Sequence, residues 1–204
     1  MDGRGWIGNA GRMTVANKLT VGRILLIPVF VVFAVYYGKS VSRGHPEEWL
    51  RLAAIAAFVV AAVTDALDGW VARRFKQKSR LGVILDPLAD KGLLLSAIIT
   101  LSVSNWTYEL PIWFAVTVIA RDIAILAGCA VLKVLVGHLE VRPSWLGKTA
   151  TALQMVALSW VMLQLPHYMY SVWAAGLVTA ASGVGYLLDG VRQLGEHSHP
   201  TNPS

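Results

Sequence analysis

Six apolar blocks of about 20 residues each divide this chain, and a block of roughly that length is what the hydrocarbon core of a bilayer requires of a helix. They are expected at about Leu19–Tyr37, Leu50–Ala72, Ile84–Val103, Leu110–Val136, Trp145–Leu165 and Met169–Leu188. Inside lipid a segment must satisfy its own backbone polar groups, so each block reads as a helix. No apolar/polar alternation points to a barrel. Composition agrees: of 204 residues, 55% are hydrophobic and 15% charged, where a soluble domain carries about 25% charged residues. The expected fold is therefore an all-α membrane protein, a bundle of six transmembrane helices. Residues 1–192 are expected to form a single membrane domain, followed by a disordered polar tail over 193–204.

Charge sets the expected orientation. Arg4, Arg12 and Lys18 precede the first block, and Arg73, Arg74, Lys76, Lys78 and Arg80 lie between the second and third. Lys133, Arg142 and Lys148 flank the turn between the fourth and fifth, and Arg192 follows the sixth. The other side has Lys39, Arg43 and Arg51, with Glu47 and Glu48 beside them. The positive-inside rule then places both termini in the cytoplasm. The formal net charge of +6 lies mostly between apolar blocks, which favours anionic lipid and anionic substrate over nucleic acid. The first 16 residues lack the apolar core of a signal peptide, so the first block is expected to stay as a membrane helix. The single cysteine, Cys129, rules out an intrachain disulfide and reads as a packed thiol. Trp106, Trp113, Trp145 and Trp160 fall near block ends, where tryptophans anchor or pack.

Four aspartates sit where aspartate is expensive. Each costs about 2.5–3.5 kcal/mol at the centre of a membrane helix, so four uncompensated would cost on the order of 10 kcal/mol. Asp65 and Asp68 are three apart and share a helix face, which Gly69 and Ala72 continue with small residues. Asp86 and Asp90 are four apart and also share a face, with Gly82 one turn before them. A hairpin through residues 73–81 would bring the two pairs together at the cytoplasmic end. Such an all-oxygen donor set suits Mg²⁺, Mn²⁺ or Ca²⁺ and not zinc. An aspartate-lined cation carrier is the non-enzymatic alternative.

Residues 65–90 follow the pattern D-x2-D-G-x2-A-R-x8-G-x3-D-x3-D, which has eight fixed positions: Asp65, Asp68, Gly69, Ala72, Arg73, Gly82, Asp86 and Asp90. This segment strongly resembles the CDP-alcohol phosphotransferase family, as does the placement of the motif on the second and third of six apolar spans. The resemblance implies an enzyme of the cytoplasmic (inner) cell membrane. It would transfer a phosphatidyl or similar group from a CDP-linked donor to an alcohol, with release of CMP. The resemblance also implies two divalent cations, Mg²⁺ or Mn²⁺, held by Asp65, Asp68, Asp86 and Asp90. Asp90 is then the general base, and Asp65, Asp68, Gly69, Ala72, Arg73 and Gly82 bind the CDP donor. Family members imply a homodimer.

The acceptor is read from elsewhere. The segments Asn17–Arg23 and Ser144–Gln154 resemble those of bacterial phosphatidylglycerophosphate synthases, which join CDP-diacylglycerol to sn-glycerol 3-phosphate. A phosphorylated acceptor needs a second anion site, and Thr20, Arg23, Arg121 and Lys148 are the candidates. Arg121 has the bland alternative of pairing with Asp122, and Lys148 that of a snorkelling surface lysine. The Arg121-Asp122 dipeptide also resembles cardiolipin synthases of the same fold, whose acceptor is phosphatidylglycerol. That is the rival reading.

Overall fold

The computed structural model describes the backbone of residues 15–75, 82–136 and 145–197, and the side chains of residues 21–64, 91–128 and 145–190. Among these residues there are six helices and no strand: α1 (Val15–Ser42), α2 (Glu48–Phe75), α3 (Gly82–Val103), α4 (Ile112–Val136), α5 (Trp145–Met162) and α6 (Tyr168–His197). Each apolar block has become one helix. Two described stretches are long and apolar enough to cross a membrane, Val21–Ser42 and Tyr168–Gly190, and Lys91–Val103 is a shorter apolar helix. The chain divides into two compact units, residues 1–97 and 98–204.

The first unit is built on the α1–α2 hairpin. Helix α1 stops at Gly44, whose φ of 76° suits a residue without a side chain. The Gly44 and His45 N–H groups donate to the carbonyls of Val41 (2.9 Å) and Ser40 (3.2 Å), the double closure of a Schellman motif. The Ser40 hydroxyl then accepts from the Glu47 N–H at 3.0 Å, tying the start of α2 to the end of α1. Phe30 and Phe58 stand equally far from Gly44 along the chain, and their rings meet at 5.8 Å, as antiparallel helices require. Between them the interface is small: Ala34 on α1 and Ala54, Ala57 and Ala61 on α2 are buried. Small residues let two helix backbones approach closely. Gly92 of α3 lies beside α1, where a Cβ would stand 3.4 Å from Ile27 Cδ1.

In the second unit α6 packs against both α4 and α5. Pro111 precedes the first residue of α4, a position where its missing N–H costs nothing. The loop between α3 and α4 is closed by the Leu110 N–H donating to the Leu101 carbonyl at 3.1 Å. Trp106 is buried in that loop, so it is a packing residue and not an interfacial one, whereas Trp145 is exposed. Where α6 crosses α4, Gly176 makes room for the Trp113 ring, which also packs on Trp173 with centroids 4.6 Å apart. Gln154 and Thr179 link α5 to α6 through a buried hydrogen bond of 2.8 Å.

Three helix ends depart from expectation, among them that of α1, which runs to Ser42 and not to Tyr37. Helix α5 stops at Met162 and not near Leu165. Gln164 takes a left-handed φ of 53°, and its N–H and that of Leu165 close a second Schellman motif on Val161 and Trp160 at 3.0 Å each. Helix α6 runs to His197, five residues into the stretch expected to be tail. Gln193, Leu194 and Glu196 are good helix formers, so the end of the apolar block did not end the helix. Residues 198–204 lie outside the described residues, as does the turn over 76–81 expected to close the aspartate hairpin.

Candidate functional site

The backbone carries the aspartate motif on two helices. Asp65, Asp68, Gly69, Ala72 and Arg73 lie on α2, and Gly82, Asp86 and Asp90 lie on α3. Continuous helix at these positions keeps each aspartate pair on a shared face, at i,i+3 and i,i+4. Their side chains, and those of Thr20 and Cys129, lie outside the described residues. Four carboxylates make an oxygen-only donor set, and that chemistry fits a hard divalent cation.

The second anion site has visible geometry. Arg121 on α4 and Lys148 on α5, singled out separately from the sequence, line one open cleft of about 410 Å³ in the second unit. This is within the range of small-molecule sites, about 300–1,000 Å³. Helix α5 contributes one face, Gly147, Lys148, Thr151, Ala152 and Met155, and α6 contributes Tyr186. Gly147 and Lys148 belong to the first turn of α5, where backbone N–H groups and the helix dipole favour an anion. The Lys148 ammonium lies 5.4 Å from the centre of the Trp145 ring. The Thr151 hydroxyl donates to the Gly147 carbonyl at 3.1 Å.

Arg121 is the most constrained group in the cleft. It is only 9% exposed, so its charge must be compensated by protein or ligand. Nη1 donates to Asp122 Oδ1 at 2.8 Å, and Nη2 donates to Ser182 Oγ at 3.2 Å. The Tyr186 ring centre lies 5.8 Å from Cζ. The buried Nε–H finds no acceptor among the described residues. Pairing with Asp122, the bland alternative, is thus real. It does not use up the guanidinium, whose fork holds five donors.

Arg23 lies on α1 in the first unit and is 1% exposed, one of the largest fully buried side chains. Three residues of the cleft region carried no signal that was read from the sequence: Ser182, Gly183 and Tyr186. A small polar patch inside the sixth apolar block was the available cue, since a serine, a glycine and a tyrosine at i, i+1 and i+4 share one side of a helix.

Residues 13–184 match the sequence model of the family described as CDP-alcohol phosphatidyltransferase. The chain is 40% identical over 153 residues to an Escherichia coli K12 protein named CDP-diacylglycerol–glycerol-3-phosphate 3-phosphatidyltransferase, covering 74% of this chain and 78% of that protein. Proteins of the same name from Shigella flexneri serotype 5b and Shigella boydii serotype 4 match to the same extent. With the family match spanning both motif helices, Arg121 and Lys148, the chain belongs to the CDP-alcohol phosphatidyltransferase family.

Proposed function

We propose that the protein transfers the phosphatidyl group of CDP-diacylglycerol to sn-glycerol 3-phosphate, giving phosphatidylglycerol phosphate and CMP. The observation that carries this reading is the cleft that Arg121 and Lys148 share. An acceptor with its own phosphate needs such a cationic site apart from the donor, and the relatives reported above are named for that acceptor. Phosphatidylglycerol, the acceptor of the cardiolipin reading, is not favoured. A cation carrier has no use for membership in a transferase family.

The acceptor hydroxyl oxygen attacks the phosphorus that carries the diacylglycerol. The bond from that phosphorus to the CMP oxygen breaks, and CMP leaves. Asp90 accepts the hydroxyl proton, as general bases do. Asp65, Asp68, Gly69, Ala72, Arg73 and Gly82 hold the donor, while Arg121 and Lys148 hold the acceptor's phosphate, with Thr20 and Arg23 as further candidates. Asp65, Asp68, Asp86 and Asp90 would hold two divalent cations, Mg²⁺ or Mn²⁺, which when bound neutralise charge on the pyrophosphate.

The same reading places the protein in the inner cell membrane as six spanning helices, with both termini and the site on the cytoplasmic side. Its polarity supports this. Arg23, Arg121, Asp122, Gln154, Thr179 and Ser182 are buried, while Leu25, Val32, Leu126, Leu177 and Leu187 are exposed. Large apolar side chains left exposed along the helices suit lipid as the surrounding medium. The family resemblance implies a homodimer.

The test is CMP release by purified protein with CDP-diacylglycerol, Mg²⁺ or Mn²⁺, and each acceptor in turn. Turnover with glycerol 3-phosphate is expected. Turnover with phosphatidylglycerol alone would overturn the acceptor assignment.

A further inference from the structure

The Arg121–Asp122 pair neutralises charge but does not aim it. Both residues belong to α4 and move together, and a long arginine can reach its neighbour from more than one rotamer. Aim requires a second anchor on another element, because a planar fork is fixed in orientation only when held at two separate nitrogens. That anchor comes from α6, 61 positions along the chain, where Ser182 Oγ accepts from Nη2. Ser182 is 2% exposed, so bulk water does not compete for this bond.

The surroundings of Ser182 serve the same end. Gly183 lies under the arginine stem: a Cβ there would stand 3.3 Å from Arg121 Cγ and 3.6 Å from Cβ. Either the stem or α6 would have to give by a few tenths of an ångström to admit even a methyl group. One turn on, Tyr186 sets its ring beside the guanidinium and also lines the cleft. Helix α6 therefore offers a hydroxyl at one nitrogen, open space beneath the stem and a ring beside the cation. A simple internal ion pair needs none of these, and the pair still leaves the Nε–H without an acceptor beside the cleft.

We infer that Ser182, seated by Gly183, is a positioning residue that orients the Arg121 guanidinium and thereby sets the affinity for the acceptor's phosphate. This rests on the acceptor reading above. In steady-state kinetics with both substrates varied, Ser182→Ala is expected to raise KM for glycerol 3-phosphate about fivefold or more, as loss of a hydrogen bond to a charged group does. KM for CDP-diacylglycerol should not move, while the melting temperature should fall modestly because a buried donor is left without its acceptor. Ser182→Thr, which keeps the hydroxyl, should restore the glycerol 3-phosphate KM, and Gly183→Ala should raise it. In an Arg121→Lys background, Ser182→Ala should add nothing, because the two act as one unit.

The outcomes separate the two ideas. If glycerol 3-phosphate supports no CMP release, the acceptor reading is overturned; if it does but Arg121→Lys leaves its KM unchanged, Arg121 does not hold the acceptor's phosphate and the positioning role falls with that assignment. If Arg121→Lys raises that KM while Ser182→Ala does not, or Ser182→Ala raises both substrates' KM alike, the positioning role alone is overturned.

Discussion

Gly176 and Trp113 are fitted so closely that a Cβ on Gly176 would stand 2.6 Å from Trp113 Cζ3. No side chain tolerates that distance, so the Trp113 ring would have to shift against its neighbours Trp173 and Phe114 to admit a methyl group. Gly176→Ala is therefore expected to destabilise by about 1–3 kcal/mol, the usual cost of overpacking. Thermal unfolding in detergent checks this. The smaller ring site of Trp113→Leu should recover part of the loss in the double variant. An unchanged melting temperature in Gly176→Ala would refute the close fit.

The Gln154–Thr179 bond makes a prediction with a sign of its own. Thr179 Oγ1 accepts from the Gln154 amide and itself donates to the Ala175 carbonyl at 2.7 Å. Thr179→Val keeps the shape and removes the acceptor, which strands a buried amide donor at a cost of about 1–3 kcal/mol. Gln154→Met combined with Thr179→Val removes both partners and should be more stable than Thr179→Val alone. Melting curves of the three proteins decide, and a double variant no better than the single would show that the bond is dispensable.

For chemistry the sharpest variant is Asp90→Asn. It keeps the size of the side chain and removes its basicity, and CMP release should fall by about 10²-fold or more. Because Asp90 also belongs to the proposed cation set, chelation should abolish turnover of the unaltered protein, with Mg²⁺ or Mn²⁺ restoring it. Full turnover of Asp90→Asn would remove this residue from the mechanism, and chelator-resistant turnover would remove the cations.

Lys148 tests the proposed acceptor site from helix α5. Lys148→Ala should raise KM for glycerol 3-phosphate about tenfold, within the range for losing a charged hydrogen bond. Lys148→Arg should retain part of the affinity, and KM for CDP-diacylglycerol should hold. If Lys148→Ala weakens neither substrate, the lysine only covers apolar surface with its stem and the Trp145 ring beside it.

The helices were legible because apolar block length announces them, and all six stand where the blocks do. Their ends were not. Hydropathy marks where the chain stops being apolar, whereas hydrogen bonding continues until a residue breaks it. Thus α1 runs on through Gly38–Ser42 to the left-handed Gly44, and α6 runs past Arg192. At α5 the breaker is Gln164, a residue whose identity gives no such warning. In the candidate site, Arg121 stood out as a charge inside an apolar block, and Lys148 through the resemblance of Ser144–Gln154 to a phosphate-acceptor segment. Ser182, Gly183 and Tyr186 did not, since their meaning lies in what stands across the helix interface, and a single sequence does not display pairings between segments 61 residues apart.

The pairing of Arg121 with its immediate neighbour also orders the assembly of the protein. A counter-ion one residue away is present as soon as α4 is synthesised, so under the proposed membrane placement the Arg121 charge would be offset within its own helix and need no later segment to quench it. Ser182 arrives with the last helix. Neutralisation is thus an early, local event and alignment a late, global one. A truncated chain ending after α5 would then keep the Arg121–Asp122 pair and lack the Ser182 contact that orients the guanidinium.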